Sequence, residues 1–330
     1  MPKSRPAPTI SARVFITGAN GFIGRALAAR LRELGAEVTG VDLVPDPEHG
    51  IVAGSTTEPG QWADALTGVD VVVHMAAIVS TVAPLGKAWE VNVLGTRQVL
   101  TAAKEAGVGR FVHLSSVAAY GHEFPDGVDE TYPVHVSGGL STYTDTKVNS
   151  EAVVLAAHAA GEIECVVVRP CDVYGPGSVW IREPIALAKA GQMVLPEGGR
   201  GIFDIVYIDN FVDGMVLLLA SEAAAGQVIN IGDGSPITCK QYFGRVAAMA
   251  GGKTRSIPIW IGAPALNLIG GLQRKLGKPN ELGAGAMYML NRKGGVSIDK
   301  ARTLLGYEPL VGFDEGMRRC EEWARAEGLI

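Results

Sequence analysis

Two side chains in the middle of the chain have the spacing of an acid–base pair. Tyr143 and Lys147 lie four residues apart at the start of a predicted helix over residues 141–160, which places both on one helical face. A free tyrosine loses its proton near pH 10, which is too high for a base at neutral pH. A neighbouring ammonium stabilises the phenolate and lowers that pKa. The pair therefore predicts a tyrosine that moves a proton, although this spacing alone also occurs as an ordinary pair on a helix surface.

Two adjacent serines offer a hydroxyl that could assist this tyrosine. Ser115 and Ser116 end a predicted strand that begins at Arg110. A hydroxyl at that strand end can hydrogen-bond a substrate oxygen and hold it against Tyr143. The alternative interpretation is that the two serines only cap the following loop.

A glycine-rich turn joins the first predicted strand, residues 14–17, to the first predicted helix, residues 22–34. It reads Thr17-Gly-Ala-Asn-Gly-Phe-Ile-Gly24, with glycines at 18, 21 and 24. In such a turn the first glycine permits the tight bend, the second lets the backbone approach a pyrophosphate, and the third lets the helix pack close to the strand. The helix N-terminus also favours negative charge. The position of this turn between a strand and a helix predicts a dinucleotide-binding loop.

Asp42 follows the second predicted strand, 18 residues beyond Gly24. A carboxylate there can accept hydrogen bonds from both hydroxyls of an adenosine ribose and repels a 2′-phosphate. Residues 43–47 contain no Arg or Lys that could bind such a phosphate, so the sequence favours NAD over NADP. Arg25, just past the glycine loop, is the cation that could reverse this preference. The alternative interpretation of Asp42 is a solvated turn residue that binds no ribose.

The elements that must position these groups alternate between strands and helices. Short β-branched runs are separated by helical patterns along the first half of the chain, which predicts an α/β fold with a doubly wound parallel sheet of the Rossmann type. We assign residues 13–174 and 204–237 to this dinucleotide-binding domain, 175–203 and 238–330 to a smaller, mostly helical substrate cap, and 1–12 to a flexible tail. The other predicted elements are helices at 87–106, 184–190 and 209–221 and strands at 37–41, 70–74, 164–169, 203–207 and 227–231.

Composition excludes several classes of protein. The 330 residues are 47% hydrophobic and 19% charged, which is enough apolar material for a core and excludes a disordered chain. A net charge of −5 without a long Lys/Arg run argues against nucleic-acid binding. The four cysteines, at 165, 171, 239 and 320, lack metal-ligand spacing, so we expect buried free thiols and no metal site. The sequence has no uninterrupted run of ~20 apolar residues, so it predicts no membrane-spanning helix. We therefore expect a cytoplasmic protein.

The most apolar segment runs from Ile257 to Leu276 and is interrupted by prolines and glycines. Three interpretations stay open for it: a core helix of the cap, a wall that faces the substrate, or a weak peripheral contact of residues 257–276 with a membrane.

In their order along the chain, these motifs resemble those of extended short-chain dehydrogenases/reductases. This group includes nucleotide-sugar epimerases and 3β-hydroxysteroid dehydrogenases, and the resemblance spans residues 13–325. Besides the glycine loop, Asp42, Ser115-Ser116, Tyr143 and Lys147, it rests on His74-Met-Ala-Ala77, Asn92-Val-Leu-Gly-Thr96, Tyr120-Gly121, Arg169-Pro170, Val173-Tyr-Gly-Pro-Gly177, Phe203-Asp-Ile-Val-Tyr-Ile-Asp-Asn210 and the segment 299–309.

The resemblance implies an NAD-dependent enzyme with Ser116, Tyr143 and Lys147 as its catalytic residues. Ser116 is preferred to Ser115 because it stands four residues before Tyr120, where the family carries its Ser or Thr. The resemblance also implies a homodimer through the helices at 87–106 and 141–160, and it gives His74 no catalytic role. The cofactor-binding residues that it implies are Gly18, Gly21, Phe22, Ile23, Gly24, Asp42, Ala76, Asn92, Tyr143, Lys147, Pro170 and Val173.

Asp172 distinguishes between branches of this family. Nucleotide-sugar enzymes usually carry Asn at the matching position, and a carboxylate there would repel a diphosphate by about 1 kcal/mol or more at close range. Arg169-Pro170 and the segment 203–210 resemble the 3β-hydroxysteroid and sterol-carboxylate dehydrogenase branch more closely. We therefore predict an NAD-dependent oxidoreductase that acts on a hydrophobic secondary alcohol or ketone, similar to a 3β-hydroxysteroid. The alternatives are a nucleotide-sugar 4-epimerase or dehydratase of the same fold and a non-catalytic dinucleotide-sensing protein.

Overall fold

The computed structural model describes residues 9–278 and 280–330 of the chain. Its strands are β1 (Arg13–Thr17), β2 (Glu37–Asp42), β3 (Ile51–Ala53), β4 (Val71–His74), β5 (Arg110–Leu114), β6 (Glu164–Pro170), β7 (Asp172–Tyr174), β8 (Val194–Pro196), β9 (Ile202–Phe203), β10 (Ile205–Tyr207), β11 (Val228–Ile231), β12 (Ile237–Thr238) and β13 (Arg255–Ile257). Its helices of the α type are α1 (Phe22–Glu33), α2 (Leu85–Trp89), α3 (Gly95–Glu105), α4 (Thr142–Ala159), α5 (Val179–Lys189), α6 (Ile208–Leu219), α7 (Cys239–Met249), α8 (Ile259–Lys275), α9 (Ala284–Met289) and α10 (Phe313–Ala326).

Seven of these strands form one parallel sheet in the order β3–β2–β1–β4–β5–β6–β11. The chain starts near the middle of the sheet and winds outward in both directions, so the predicted Rossmann-type fold class is confirmed. Side chains of β1 alternate between two cores. Val14 and Ile16 pack on the face that α1 covers, and Phe15 packs on the face that α3 and α4 cover.

Three predicted elements differ from the structure in extent. The helix expected at 184–190 begins at Val179, with Pro184 inside it, because Ser178 and not the proline precedes the first turn. The strand expected at 203–207 is split at Asp204 into β9 and β10, which pair with β12 and β7 respectively. The Asp204 carbonyl already belongs to the second pairing, since it accepts from the Asp172 amide at the start of β7 at 2.8 Å. The helix expected at 87–106 contains a wider turn over Glu90–Leu94.

The segments at the ends of the chain and in the cap also bear on the sequence predictions. Residues 1–8 of the tail that we predict at 1–12 lie outside the described residues. Within the described part of the tail, Ile10 is buried and its amide bonds the Leu34 carbonyl.

All four cysteines are buried free thiols, as expected. Helix α8 buries only Gly262, Ala263 and Gly270, so this segment is not a core helix of the cap. Among the described residues, no helix has the length and apolar character needed to span a membrane.

Candidate functional site

The glycine loop brings three elements into direct contact. Gly18 has a φ of +72°, and a Cβ added there would lie 3.0 Å from the Ala76 amide nitrogen, so only glycine fits this turn. A Cβ on Gly24 would collide with the carbonyl oxygens of Gly18 and Ala19. The start of α1 therefore packs directly on the turn that ends β1, beside the residues that follow β4.

The N-terminus of α1 is open to an anionic ligand. Its first residue follows Gly21, which has no side chain to cap the free amides of the first turn. Phe22 borders a cleft of about 620 Å³ whose other lining residues are Asn20, Arg25, Ala26, Pro176, Gly177, Arg182, Tyr207, Ile208 and Asp209. Uncapped amides and two guanidinium groups suit a pyrophosphate. This part of the structure thus fits a dinucleotide.

Asp42 is held by the same loop. One carboxylate oxygen, Oδ2, accepts a hydrogen bond from the Asn20 amide at 3.0 Å, and Oδ1 lies 3.4 Å from the Val44 amide. The Asn20 side chain in turn donates to the Val44 carbonyl at 2.6 Å. The carboxylate is partly exposed at the end of β2. It therefore keeps acceptor capacity for ribose hydroxyls, which also fits NAD.

Ser116, Tyr143 and Lys147 come together where β5 ends. Ser116 starts a short turn over Val117–Tyr120, and its Oγ accepts from the Ala118 amide at 3.1 Å. Lys147 is 4% exposed, and its Nζ donates to the Leu114 carbonyl at 2.6 Å. The same Nζ lies 5.7 Å from the centre of the Tyr143 ring. The three side chains that the sequence singles out thus share one site.

Burial dominates the titration behaviour of this group. Burial raises the pKa of Tyr143 to about 12, the Ser116 hydrogen bond opposes that rise, and the Asp172 carboxylate adds to it. Burial also lowers the pKa of Lys147 to about 8, with Glu151 acting in the opposite direction. In the protein without cofactor, burial thus outweighs any lowering of the Tyr143 pKa by Lys147, whose ammonium bonds the Leu114 carbonyl. The lowering that we expect from Lys147 together with a positive nicotinamide ring stays a prediction.

Glu151 is a site residue that our sequence reasoning missed. Its carboxylate accepts from Arg169 Nε at 2.9 Å and from Arg169 Nη2 at 2.7 Å, and both residues are buried. The Ser115 hydroxyl donates to the same carboxylate. Residues 143, 147 and 151 follow one helical face at steps of four, which is the signal that could have found it. The bond to Glu151 uses the Ser115 hydroxyl within the protein interior, so Ser116 is the serine that remains beside Tyr143.

His74 lies in a neutral chain of hydrogen bonds. Its Nδ1 is 2.7 Å from Thr17 Oγ1, and its Nε2 is 2.9 Å from Thr96 Oγ1. Burial, with a smaller effect of Lys147, lowers the pKa of His74 to about 3. The ring is therefore neutral at physiological pH with both nitrogens bonded, which agrees with the non-catalytic interpretation.

Asn92 joins the loop after β4 to helix α4. Its Oδ1 accepts from the Ile78 amide at 2.7 Å, and its Nδ2 donates to the Ile78 carbonyl and to Thr146 Oγ1, both at 2.9 Å. Thr146 donates in turn to the Tyr143 carbonyl at 3.0 Å. Because its amide is buried and already bonded to protein atoms, Asn92 is a positioning residue for α4 and for the loop.

The remaining predicted residues lie at the same edge of the sheet. The Ala76 amide is 3.2 Å from Thr17 Oγ1, just after β4. Pro170 ends β6, and Val173 is buried in β7. Ligands of open α/β sheets bind outside the carboxyl ends of the strands. The placement of all three residues is consistent with a cofactor that crosses this edge.

Asp172 forms an ion pair that no sequence pattern predicts. Its Oδ2 accepts from Arg292 Nη2 at 3.1 Å, and Arg292 is 3% exposed with its Nε bonded to the Met289 carbonyl. Burial raises the pKa of Asp172, and the guanidinium opposes that rise. The two residues are 120 positions apart, so no local spacing connects them. Next to Arg292 is a cavity of about 210 Å³ lined by His122, Glu123, Phe124, Tyr288, Asn291 and Lys293.

We expect Glu151→Gln to lower the free energy of unfolding by about 3–5 kcal/mol, because it leaves the buried Arg169 guanidinium without a counter-charge. The matched control is Glu33→Gln, which breaks an exposed pair with Arg30 and should change stability by at most about 1 kcal/mol. Urea unfolding followed by circular dichroism measures both variants. Equal losses in the two would contradict a structural role for the buried pair.

Comparison with known proteins agrees with this geometry. The NAD dependent epimerase/dehydratase family matches residues 14–232. A 3-beta-hydroxysteroid dehydrogenase of Mycolicibacterium neoaurum is 31% identical over 93% of this chain and 90% of the relative. A 4-hydroxy-2-methyl-3-oxo-4-farnesyl-3,4-dihydroquinoline-1-oxide ketoreductase of Stigmatella aurantiaca is 29% identical over 92% and 94% of the two chains.

A solved structure shows the same likeness in three dimensions. MoeE5 in complex with UDP-glucuronic acid and NAD superposes with a TM-score of 0.77 and 26% identity, over 96% of this chain and 99% of that one. With a family match over more than half of its residues, this chain belongs to the NAD-dependent epimerase/dehydratase family, the extended short-chain dehydrogenases/reductases, and is an NAD-dependent enzyme.

Proposed function

We propose that this enzyme interconverts a hydrophobic secondary alcohol and its ketone. The observation that carries the proposal is the buried pair of Asp172 and Arg292. A diphosphate near Tyr143 would need a free cation, but this guanidinium is already bound to a carboxylate. The Asp172 charge would repel the diphosphate as well. A neutral substrate meets neither obstacle.

The names of the relatives support the same substrate class. A 3-beta-hydroxysteroid dehydrogenase and a farnesyl-substituted quinoline-oxide ketoreductase are both named for a hydroxyl or carbonyl reaction on a large, mainly apolar molecule. Both align with nearly the whole chain, including the cap that would shape the pocket. We infer a 3β-hydroxysteroid or a molecule of similar bulk and polarity.

The catalytic roles follow from the positions of three side chains. NAD, when bound, supplies the hydride acceptor or donor. Tyr143 would exchange a proton with the substrate oxygen through its hydroxyl, and Ser116 would hold that oxygen by a hydrogen bond. Lys147, with a pKa of about 8, carries a positive charge at neutral pH that favours the phenolate form of Tyr143.

The remaining predicted residues would form the cofactor site. One N–H of Lys147 bonds the Leu114 carbonyl, which leaves two for ribose hydroxyls. The Phe22 and Ile23 amides would face the pyrophosphate, and Asp42 would bind the adenosine ribose. The residues that shape the rest of this site in our proposal are Gly18, Gly21, Gly24, Ala76, Pro170 and Val173, with Asn92 supporting them from behind.

A nucleotide-sugar epimerase is the second candidate, and the likeness to MoeE5 with UDP-glucuronic acid favours it. An epimerase would return the hydride to the substrate and release no NADH. The homodimer and the cytoplasmic location stay predictions.

Replacing Tyr143 by Phe should lower kcat at least ~100-fold, because the variant loses the group that exchanges the proton. NAD affinity should stay near the wild-type value, since Lys147 and the backbone carry most of the cofactor contacts in our proposal. Steady-state assays and NAD titration by fluorescence measure the two effects. Tyr132→Phe is the control for loss of a hydroxyl, and wild-type turnover in Tyr143→Phe would remove Tyr143 from the mechanism.

For the cofactor, we expect the wild type to prefer NADH over NADPH by at least ~10-fold, about 1.4 kcal/mol. Asp42→Ala should narrow this difference because it removes the charge that repels a 2′-phosphate. Fluorescence titration of both cofactors tests this, with Asp46→Ala as an acidic control in the loop after β2. Equal affinities in the wild type would show that Asp42 does not select the cofactor.

The substrate class can be tested with 3β-hydroxysteroids, smaller cyclic alcohols and UDP-sugars in the presence of NAD. Each additional buried methylene should improve binding by about 0.8 kcal/mol, so affinity should rise with hydrocarbon bulk. NADH formation and thermal stabilisation are the two measurements. An epimerised UDP-sugar without net NADH would instead establish the second candidate.

A further inference from the structure

Helix α8 exposes a continuous row of large apolar side chains. We call this the α8 apolar face and define it as Trp260, Ile261, Leu268, Ile269, Leu272 and Leu276. Trp260 is 74% exposed, Leu268 75% and Leu272 57%. A step of four residues advances roughly 40° around an α-helix, so these side chains spread over about one half of the circumference of α8. A contiguous apolar surface of this kind marks an interaction site.

The opposite side of α8 is attached to the protein. A Cβ on Gly262 would lie 3.2 Å from the Met287 methyl carbon on α9, and Gly270 packs against the Leu282 backbone. Ala263 joins Ala284 and Met287 in a small buried cluster. The helix therefore lies flat on the cap, and only its apolar face is free to meet another surface.

The stretch of sequence that contains this face is positively charged, unlike the chain as a whole. The chain has a net charge of −5, yet no Asp or Glu occurs between Asp233 and Glu281. The same stretch contains seven cations, namely Lys240, Arg245, Lys253, Arg255, Arg274, Lys275 and Lys278. Lys253 and Arg255 are exposed just before α8, and Lys275 and Lys278 are exposed at its end. Positive side chains thus flank both ends of the apolar face. Two carboxylates also lie near these ends and are bonded within the protein: Glu197 Oε1 accepts from the Ile259 amide at 2.8 Å, and Glu281 Oε2 accepts from Ser80 Oγ at 2.9 Å.

An apolar face with cations at both ends favours a membrane surface over a second copy of the chain as its partner. If a second copy of the chain packed its own α8 apolar face on this one, the cationic ends of the two α8 helices would meet, whether the helices ran parallel or antiparallel. The interface of a bilayer accepts apolar side chains, and anionic headgroups attract the cations at the rim. We propose that α8 binds the surface of a membrane that contains anionic phospholipid, with its axis parallel to the bilayer and its apolar face in the headgroup region.

The proposed surface lies close to the candidate active site. Helix α9, on which α8 packs, contacts the residues that lead into α4, since a Cβ on Gly285 would collide with the Leu140 carbonyl. A membrane-bound enzyme would hold its substrate cap next to the bilayer, where an apolar molecule is concentrated. The docking itself does not depend on the proposed reaction, and its test needs no turnover.

Vesicle sedimentation tests the proposal with the full chain. The protein should partition onto vesicles of phosphatidylcholine with phosphatidylglycerol at least ~10-fold more strongly than onto phosphatidylcholine alone, and added salt should weaken this binding. Leu268→Gln with Leu272→Gln should lower partitioning at least ~10-fold. Lys275→Gln with Lys278→Gln should reduce the preference for the anionic lipid, and adding Lys253→Gln and Arg255→Gln should remove most of it. Leu310→Gln, at a 60% exposed leucine elsewhere, is the matched control and should bind as the wild type does.

Fluorescence locates the contact. Brominated lipid should quench the wild type, and Trp260→Phe should lose that quenching while it still sediments with vesicles. Unchanged melting temperatures would show that the variants fold. The proposal is overturned if the wild type binds neither vesicle, or if the Leu268→Gln, Leu272→Gln protein binds as well as Leu310→Gln. It is also overturned if the wild type is a dimer that this double variant dissociates without any vesicle binding, since the face would then join two copies.

Discussion

The position of the candidate site depends on one buried ion pair, between Glu151 of α4 and Arg169 of β6. Two charges removed from water cost several kcal/mol each unless their bonds are well formed. Here the guanidinium binds the carboxylate through two nitrogens, and the Ser115 hydroxyl donates to the same group. Arg169 also lies over the Tyr120 ring, 4.7 Å from its centre, and its remaining Nη1 has no hydrogen-bond partner among the described residues. These contacts attach α4 to the sheet at Glu151, and in this register Tyr143 and Lys147 lie at the end of β5.

A second, uncharged network fixes the other side of the site. The Thr17 hydroxyl, the His74 ring and the Thr96 hydroxyl connect β1, β4 and α3, and Asn92 extends the connection to α4. Hydrogen bonds in a low-dielectric interior are strong, and each missing partner would be costly, so a fully bonded network permits little movement. The glycine loop and Tyr143 thus lie on elements that are joined through their interiors and not only at their surfaces. Such preorganisation is what proton transfer and cofactor binding require.

Local patterns in the sequence were sufficient for the features that depend on local backbone. The glycine turn, Asp42 after β2 and the steps of four on α4 are each contained in a few residues, and the structure brings them to one edge of the sheet. Arg292 could not be inferred, because its contact with Asp172 depends on how the cap folds back over the sheet. The raised pKa of Tyr143 was missed for a similar reason, since burial is a property of the whole fold. The orientation of α8 likewise depends on α9, a short helix that the sequence pattern does not predict.

The two buried ion pairs also connect the acid–base chemistry with the choice of substrate. Among the described charges around Tyr143, Glu151 is bound to Arg169 and Asp172 is bound to Arg292, so each carboxylate already has its cation. Lys147 instead bonds a neutral carbonyl, so its charge has no carboxylate bonded to it and, in the proposed mechanism, would stabilise a phenolate at Tyr143. An anionic group on the substrate would have to compete with Asp172 for Arg292, at the cost of leaving a buried carboxylate unpaired. Under the proposed function, a neutral, apolar substrate would leave both pairs intact, and the same arrangement of charges would disfavour a phosphorylated molecule.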